Sequence, residues 1–173
     1  MKPVILSMVN WVFWVITLPL IYALPSNAGD KPVAGWVEKV RIYPGNLVVE
    51  AKLDTGAQTC SLHATKLKEF KKNGEPWVRF EVDNKQGGKA ILERKVIRTA
   101  AIKRHFAGSQ RRPVVRLGIC LGNIYRETEV NLIDRSGFQY RMLIGRSFLE
   151  GQVVIDPGLK YQLEPQCRQP NLE

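Results

Sequence analysis

Apolar and polar residues alternate with a period of two along most of the chain. This period is typical of strands that bury one face, and clusters of Gly, Pro, Asn and Asp separate the alternating runs. The predicted strands cover residues 36–43, 47–53, 60–63, 77–82, 90–98, 114–121, 124–133, 138–144, 153–155 and 161–163. A helical turn is predicted at 64–71, a short helix at 147–150 and a basic loop at 103–112. Many short strands with little helix predict an all-β fold, a closed or partly closed β-barrel.

The first 28 residues differ from the rest of the chain. Lys2 is the only charged residue before Asp30, and Val4 to Leu24 is almost wholly apolar. Pro-Ser-Asn-Ala follows at 25–28 and predicts a secretory signal peptide cleaved after Ala28. The alternative is an uncleaved membrane anchor, because the apolar stretch approaches the ~20 residues that span a bilayer. We expect a domain at 29–164 and an irregular tail at 165–173, in the periplasm or secreted, touching a membrane only if the leader is retained.

The chain is basic. Its formal net charge of +10 falls to +9 without Lys2. A basic surface can attract anionic polymers or acidic peptides, but a solvated basic face without a specific partner is the more common situation. We expect no nucleic-acid partner.

Three cysteines and two histidines are the candidate metal ligands and thiols: Cys60, Cys120, Cys167, His63 and His105. An odd number of cysteines in an oxidising compartment permits one disulfide with one thiol left over, and the sequence does not choose the pair. No spacing of the Cys-x-x-Cys or His-x-x-x-His kind is present. We therefore expect no metal and no cofactor.

Two motifs about 90 residues apart carry the candidate chemistry. Residues 51–57 read Ala-Lys-Leu-Asp-Thr-Gly-Ala, so the predicted strand at 47–53 ends directly before Asp54. Residues 141–149 read Arg-Met-Leu-Ile-Gly-Arg-Ser-Phe-Leu, where a strand enters a Gly-Arg turn and a short helix. A lone aspartate is a poor base at neutral pH, whereas two adjacent carboxylates share a proton and can act as acid and base together.

The two motifs resemble the two halves of a retropepsin-type aspartic protease site. The run from Asp54 to Ala64 also resembles the bacterial retropepsin-like family often labelled "ATP-dependent zinc protease", although His-Glu-x-x-His and a phosphate-binding Gly-rich loop are both missing. The resemblance implies a retropepsin barrel and a homodimer, because the chain has one Asp-Thr-Gly. It implies that Asp54 is catalytic. The implied supporting residues are Thr55, Gly56, Ala57, Ile144, Gly145 and Arg146.

Two departures from the family pattern affect these expectations. Gln58 stands where retroviral enzymes usually carry an acid, so Arg146 loses an expected ionic partner and is interpreted as structural. A glycine-rich flap is not obvious in the sequence. Gly87 and Gly88, between two predicted strands, are the candidate tip, and the basic loop at 103–112 is the alternative.

The leading hypothesis is an exported aspartic endopeptidase that cleaves a peptide or protein substrate with water activated between Asp54 and its symmetry mate. The alternative is a non-catalytic barrel that binds an acidic peptide or envelope polymer through its basic loop. A third hypothesis is a metallopeptidase that uses His63 and cysteines. Asp134 and Asp156 precede turn residues and are interpreted as parts of turns.

Overall fold

A computed structural model describes residues 31–104 and 108–167. The predicted leader at 1–28 lies outside the described residues, as do 168–173 of the predicted tail. The elements, in chain order, are β1 Val33–Tyr43, β2 Leu47–Leu53, β3 Cys60–His63, β4 Thr65–Lys72, β5 Glu75–Asp83, β6 Lys89–Lys95, β7 Arg98–Arg104, β8 Gly108–Leu121, β9 Ile124–Ile133, β10 Met142–Ile144, α1 Arg146–Leu149 and β11 Val154–Lys160. No helix within these ranges has the length and apolar character needed to cross a bilayer.

Six strands form a closed mixed barrel, which confirms the predicted fold class. Their order is β1, β2, β10, β3, β9 and β8, and the pairing of β1 with β8 at Arg41 and Cys120 closes the ring. The alternation read from the sequence directs the apolar side chains inward, and those of β2 are buried at Leu47, Val49 and Ala51. Strands β7 and β11 continue the sheet at its two ends.

A second, three-stranded sheet, β4–β5–β6, shares the barrel's apolar core through Val78, Phe80 and Leu92. This corrects the helical turn predicted at 64–71, where the structure has strand β4. The lysines and the glutamate of that stretch tolerate a helix, but antiparallel pairing with β5 supplies hydrogen bonds that an isolated helical turn cannot match.

Three further predictions are corrected by strand pairing. Most of the predicted loop at 103–112 belongs to the paired strands β7 and β8, and residues 105–107 are outside the described residues. The final strands predicted at 153–155 and 161–163 are replaced by the single strand β11, which runs through Pro157. An edge strand accommodates proline because the missing N–H need not be paired. Residues 138–141, predicted as strand, are irregular.

The described end of the chain is irregular but fixed to the barrel. The fully buried Glu38 carboxylate accepts the backbone N–H groups of Gln162 and Leu163, both at 3.0 Å. A disulfide then joins Cys120 to Cys167. Two hydrogen bonds to Glu38 of β1 and one disulfide to Cys120 of β8 thus hold residues 162–167 against the barrel.

Candidate active site

The loop after β2 carries Asp54 and is tied to β10. Parallel pairing sets Leu53 beside Ile144, and the next N–H, that of Asp54, donates to the carbonyl of Ile144 at 2.8 Å. The two motifs, distant in sequence, are therefore adjacent strand ends in the barrel. This places the aspartate at a fixed backbone position on a rigid element, as a catalytic group requires.

The Asp54 carboxylate is held by its own loop and remains accessible. The N–H of Gly56 donates to Oδ1 at 3.0 Å, and Oδ2 lies 3.6 Å from Nζ of Lys52. The side chain is 25% exposed. One oxygen is thus anchored by a charge-assisted hydrogen bond, and the other can meet a second carboxylate or a water molecule.

The turn at Gly145 packs against the loop that carries Asp54, and only glycine fits there. A Cβ at this position would lie 2.6 Å from the carbonyl oxygen of Thr59 and 3.0 Å from that of Ala57. This close approach lets the N–H of Arg146 donate to the Ala57 carbonyl at 2.8 Å. The small Ala57 thus contributes backbone contacts under the aspartate loop.

The side chain of Arg146 joins both motifs. Its Nη1 donates to the carbonyl of Thr55 at 2.7 Å, and its Nη2 donates to Oε1 of Gln58 at 2.9 Å. The amide oxygen of Gln58 therefore accepts the hydrogen bond expected of an acid at this position. Arg146 thus has a side-chain partner here, although the expected ionic one is absent. The guanidinium fixes the loop that carries Asp54.

An open cavity of about 390 Å³ lies beside Asp54. Two cations, Lys52 and Arg135, line it together with apolar groups. Asp54 is the only acid in the lining formed by the described residues. The complete lining is Trp36, Lys52, Asp54, Arg135, Phe138, Gln139, Tyr140 and Leu143. A cavity of this charge suits an anionic group of a peptide.

Arg135 is one of the cavity residues, with Lys52, that sequence reasoning missed. It is 8% exposed, donates from Nε to the Tyr140 carbonyl at 3.2 Å and lies over the Phe138 ring at 4.5 Å. Burial lowers the pKa of its guanidinium, the Arg112 cation lowers it further, and Asp54 raises it. Within the described ranges it forms no ion pair with a carboxylate. The turn residues around Arg135 predict a surface turn, and no residue pattern in this stretch indicates that the arginine is buried.

A second open cavity, of about 490 Å³, borders the same Asp-Thr-Gly loop and shares no lining residue with the first. Exposed Thr55 borders it, as do the apolar residues Leu149, Val153 and Ile155. The adjacent strand β11 is an edge of the sheet, with Val154 53% exposed. Within the described part of the chain, this flank combines apolar surface with a strand edge that has no pairing partner.

The candidate flap residues Gly87 and Gly88 line neither cavity, but Nζ of Lys85 in the same turn donates to the carbonyls of Phe138 and Gln139, which line the cavity beside Asp54. A Cβ at Gly88 would be 3.0 Å from a methyl of Leu47, at the start of β2. Asp54 follows the other end of this seven-residue strand, about 20 Å away at the usual rise per residue. Gly88 thus lies near the opposite end of β2 from Asp54, whereas its turn contacts the lining of the cavity through Lys85. Most of the alternative flap, at 103–112, belongs to strands β7 and β8, where Arg112 donates to Asn131 at 3.3 Å.

His63 and Cys60 are buried beneath the site. Burial raises the pKa of the Cys60 thiol to about 11, so it is not a ready nucleophile. The imidazole of His63 contacts backbone and carboxylates rather than a thiol. Within 31–104 and 108–167, no three or more His, Cys, Asp or Glu side chains form a group suited to a metal ion. His105 lies outside these ranges.

A closed six-stranded barrel with an Asp-Thr-Gly loop against a Gly-Arg turn defines the retropepsin-like class. The family model described as "Retropepsin-like aspartic endopeptidase RimB" matches residues 33–166. The chain therefore belongs to the RimB-like family, and the predicted resemblance is confirmed.

Similar proteins are of two kinds. A probable alpha-L-glutamate ligase of Shewanella pealeana is 36% identical over 118 residues, which is 66% of this chain and 26% of that protein. One from Parasynechococcus marenigrum is 32% identical over 128 residues, 72% of this chain and 27% of that protein. This chain thus spans about a quarter of the length of the curated relatives it matches. A crystal structure of a Legionella pneumophila protein of unknown function aligns with TM-score 0.67 and 36% identity, covering 77% of this chain and 98% of that one.

Proposed function

We propose that the protein is an aspartic endopeptidase that acts as a homodimer. The observation that carries this proposal is the position of Asp54, partly exposed at a strand end and braced by Ile144 and Gly56. Each subunit supplies one such carboxylate. A two-fold axis beside the loop would bring the two copies together, so that they share one proton.

Hydrolysis then follows from the paired carboxylates. The ionised member removes a proton from water, whose oxygen attacks the carbonyl carbon of the peptide bond, while the protonated member donates to the carbonyl oxygen. Collapse of the tetrahedral intermediate breaks the C–N bond: the departing amine takes the proton that one carboxylate removed from water, and a hydroxyl of the intermediate returns a proton to the other carboxylate. Neither a metal ion nor a nucleotide takes part in these steps.

The second copy is proposed to dock on the flank that carries Thr55. Its half-buried Val153 and Ile155 and the exposed Val154 are available for further burial, and the free edge of β11 can pair with another strand. Docking there would set the Thr55 hydroxyls and the Asp54 carboxylates of the two subunits face to face.

The substrate is proposed to be a peptide with acidic side chains, glutamate above all. Lys52 and Arg135, which forms no ion pair with a carboxylate within the described ranges, line the cavity beside Asp54. The similar proteins in Shewanella and Parasynechococcus are named as glutamate ligases, and a segment like this chain forms about a quarter of each. A glutamate ligase and a peptidase that cleaves glutamate-containing peptides would both have to recognise glutamate.

Export is part of the proposal. It rests on the leader predicted at 1–28 and agrees with the Cys120–Cys167 disulfide, because such bonds persist in oxidising compartments.

A tetraglutamate peptide and wild-type protein provide the test. We expect cleavage that D54N abolishes, whereas E164Q retains it. Glu164 is a matched control because it is also an exposed carboxylate paired with a lysine, Lys39, at 2.6 Å. Unchanged cleavage by D54N would refute the aspartic mechanism through Asp54. Tight binding of tetraglutamate without cleavage by wild type would favour the non-catalytic binding module.

The acidic preference has its own test. R135M removes a cation of the cavity, and R98M removes one that pairs with Glu129 at 2.6 Å on β9. We expect R135M to raise KM for tetraglutamate about tenfold or more, as loss of a charged hydrogen-bond donor does, and R98M to leave it unchanged. Equal KM values for the two variants would remove Arg135 from substrate recognition.

A further inference from the structure

His63 connects the interior of the barrel to the cavity beside Asp54. Its side chain is 2% exposed, and Nδ1 accepts the backbone N–H of Arg135 at 2.8 Å. Because Nδ1 is an acceptor, the neutral ring carries its proton on Nε2, which lies 3.3 Å from Oδ2 of Asp83. The imidazole therefore joins the end of β3 to the end of β5 and to the segment after β9.

Four charged residues surround the imidazole from three elements. Asp83 ends β5, Asp134 and Arg135 follow β9, and Arg141 precedes β10. Burial lowers the pKa of His63, and Arg141 lowers it further, while Asp83 and Asp134 raise it and Arg135 lowers it. The Nε of Arg141 lies 3.0 Å from Oδ1 of Asp83, so that carboxylate is already partly neutralised. The ring is thus kept neutral near neutral pH.

The backbone position of Arg135 depends on this neutral ring. A proton added to His63 occupies the Nδ1 lone pair, which then can no longer accept the Arg135 N–H. The new N–H faces Oδ1 of Asp134, 3.5 Å away, as an alternative partner. Two donors facing each other at 2.8 Å repel, so the Arg135 segment must move.

We propose that His63 is a positioning residue whose neutral imidazole holds Arg135 in the cavity beside Asp54, and whose protonation releases Arg135 and weakens binding of acidic peptides. The identity of the bound peptide rests on the proposed function. The device needs no change at Asp54 itself, so it acts on affinity rather than on the chemical step. It also ties the three-stranded sheet, through Asp83, to substrate recognition.

The first arm of the test follows the coupling in the purified protein by NMR, without any need for activity. The ring nitrogens of His63 are assigned by their loss in H63N, and the backbone N–H of Arg135 is followed from pH 8 to pH 4. The proposal predicts that the Arg135 signal shifts with the same midpoint as the His63 ring. In H63N, whose amide oxygen can accept from Arg135 but does not titrate, this shift disappears. An Arg135 signal that ignores the titration of His63 overturns the proposal.

The second arm measures tetraglutamate affinity in the D54N background, where the peptide is not cleaved. D54N and D54N/H63N share the same peptide titration, so their difference reports the ring alone. We expect D54N to lose about tenfold more affinity than D54N/H63N as the pH falls past the His63 midpoint, the scale of one lost buried hydrogen bond. We expect D54N/H63L to bind weakly at every pH. The same pH dependence with and without His63 overturns the proposal.

The two proposals fail separately. Binding with the predicted pH dependence, but no cleavage by wild type, refutes the peptidase and leaves the role of His63 intact. Cleavage by wild type, with a KM whose pH profile does not depend on His63, supports the peptidase and refutes the role of His63. If tetraglutamate does not bind at any pH, the acidic substrate and the effect of His63 on affinity are both refuted.

Discussion

Arg146 donates from Nη1 to the backbone carbonyl of Thr55 at 2.7 Å, across 91 residues of sequence. The same guanidinium donates to Oε1 of Gln58 at 2.9 Å. One side chain therefore braces the loop that carries Asp54 at two points, one on each side of Gly56. Because both acceptors are neutral, the contact is weaker than the ion pair that a carboxylate at position 58 would give.

This relationship predicts a gain from Q58E. A carboxylate in place of the amide oxygen should form an ion pair with Arg146 and raise the free energy of unfolding by about 0.2–1 kcal/mol at low salt, since the pair is exposed. Chemical denaturation of wild type, Q58E, R146M and the double variant forms a cycle that isolates the pair. A gain that persists in the R146M background would show that Arg146 is not its cause.

G145A should disrupt the site through backbone contact. The added methyl would meet the Thr59 carbonyl at 2.6 Å, and neither atom belongs to a flexible side chain. We expect a loss of about 1–3 kcal/mol in the free energy of unfolding, typical of overpacking. Peptidase activity should fall as well, because the same turn supports the loop that carries Asp54. G137A is the control, since a Cβ there meets nothing within 4 Å. Equal stability of the two variants would contradict this account of the turn.

Mixing wild type with D54N tests whether one site needs two subunits. Random exchange in an equal mixture leaves about one quarter of the dimers with both aspartates. Activity should therefore fall to about half of what the wild-type protein shows alone at the same concentration. A monomeric enzyme would keep its full activity in the mixture, and sedimentation of each sample checks that subunits have exchanged.

We expect one cysteine per chain to react with a thiol reagent only after the protein unfolds. Cys60 is fully buried, with the pKa of its thiol raised to about 11, and Cys120 and Cys167 form the disulfide. Without reductant, a thiol reagent at pH 8 should leave the folded protein unmodified and label one cysteine after denaturation. Mass spectrometry of digested samples identifies the labelled residue. Rapid labelling of Cys60 in the folded state would contradict its burial.

Stability should depend on pH through His63. Folding lowers the pKa of this imidazole, chiefly by burial, so the unfolded chain binds the proton more readily than the folded one. The contribution is complete above the ordinary histidine pKa of about 6.5 and declines as the pH falls below it, until the folded ring is protonated as well. The melting temperature of H63N should fall less than that of wild type across this window. A parallel decline in both proteins would assign the loss to carboxylates.

Much of the fold could be predicted from local pattern. Strands β2, β3 and β9 have the bounds that alternation and turn residues predicted, because one buried face and flanking turns determine such strands locally. The stretch at 64–71 could not be predicted in this way. Its lysines suit either conformation, and only pairing with β5 decides between them.

The sequence by itself determined the barrel class and the two motifs, since a strand that ends in Asp-Thr-Gly and one that ends in Gly-Arg are both local patterns. Only the tertiary structure decided which other charges surround Asp54. Arg135 reaches the cavity because the backbone of its segment is bonded to His63, 72 residues earlier, and such a contact leaves no local pattern in the sequence. The same holds for Gln58, whose amide becomes a partner of Arg146 only when β2 and β10 lie side by side.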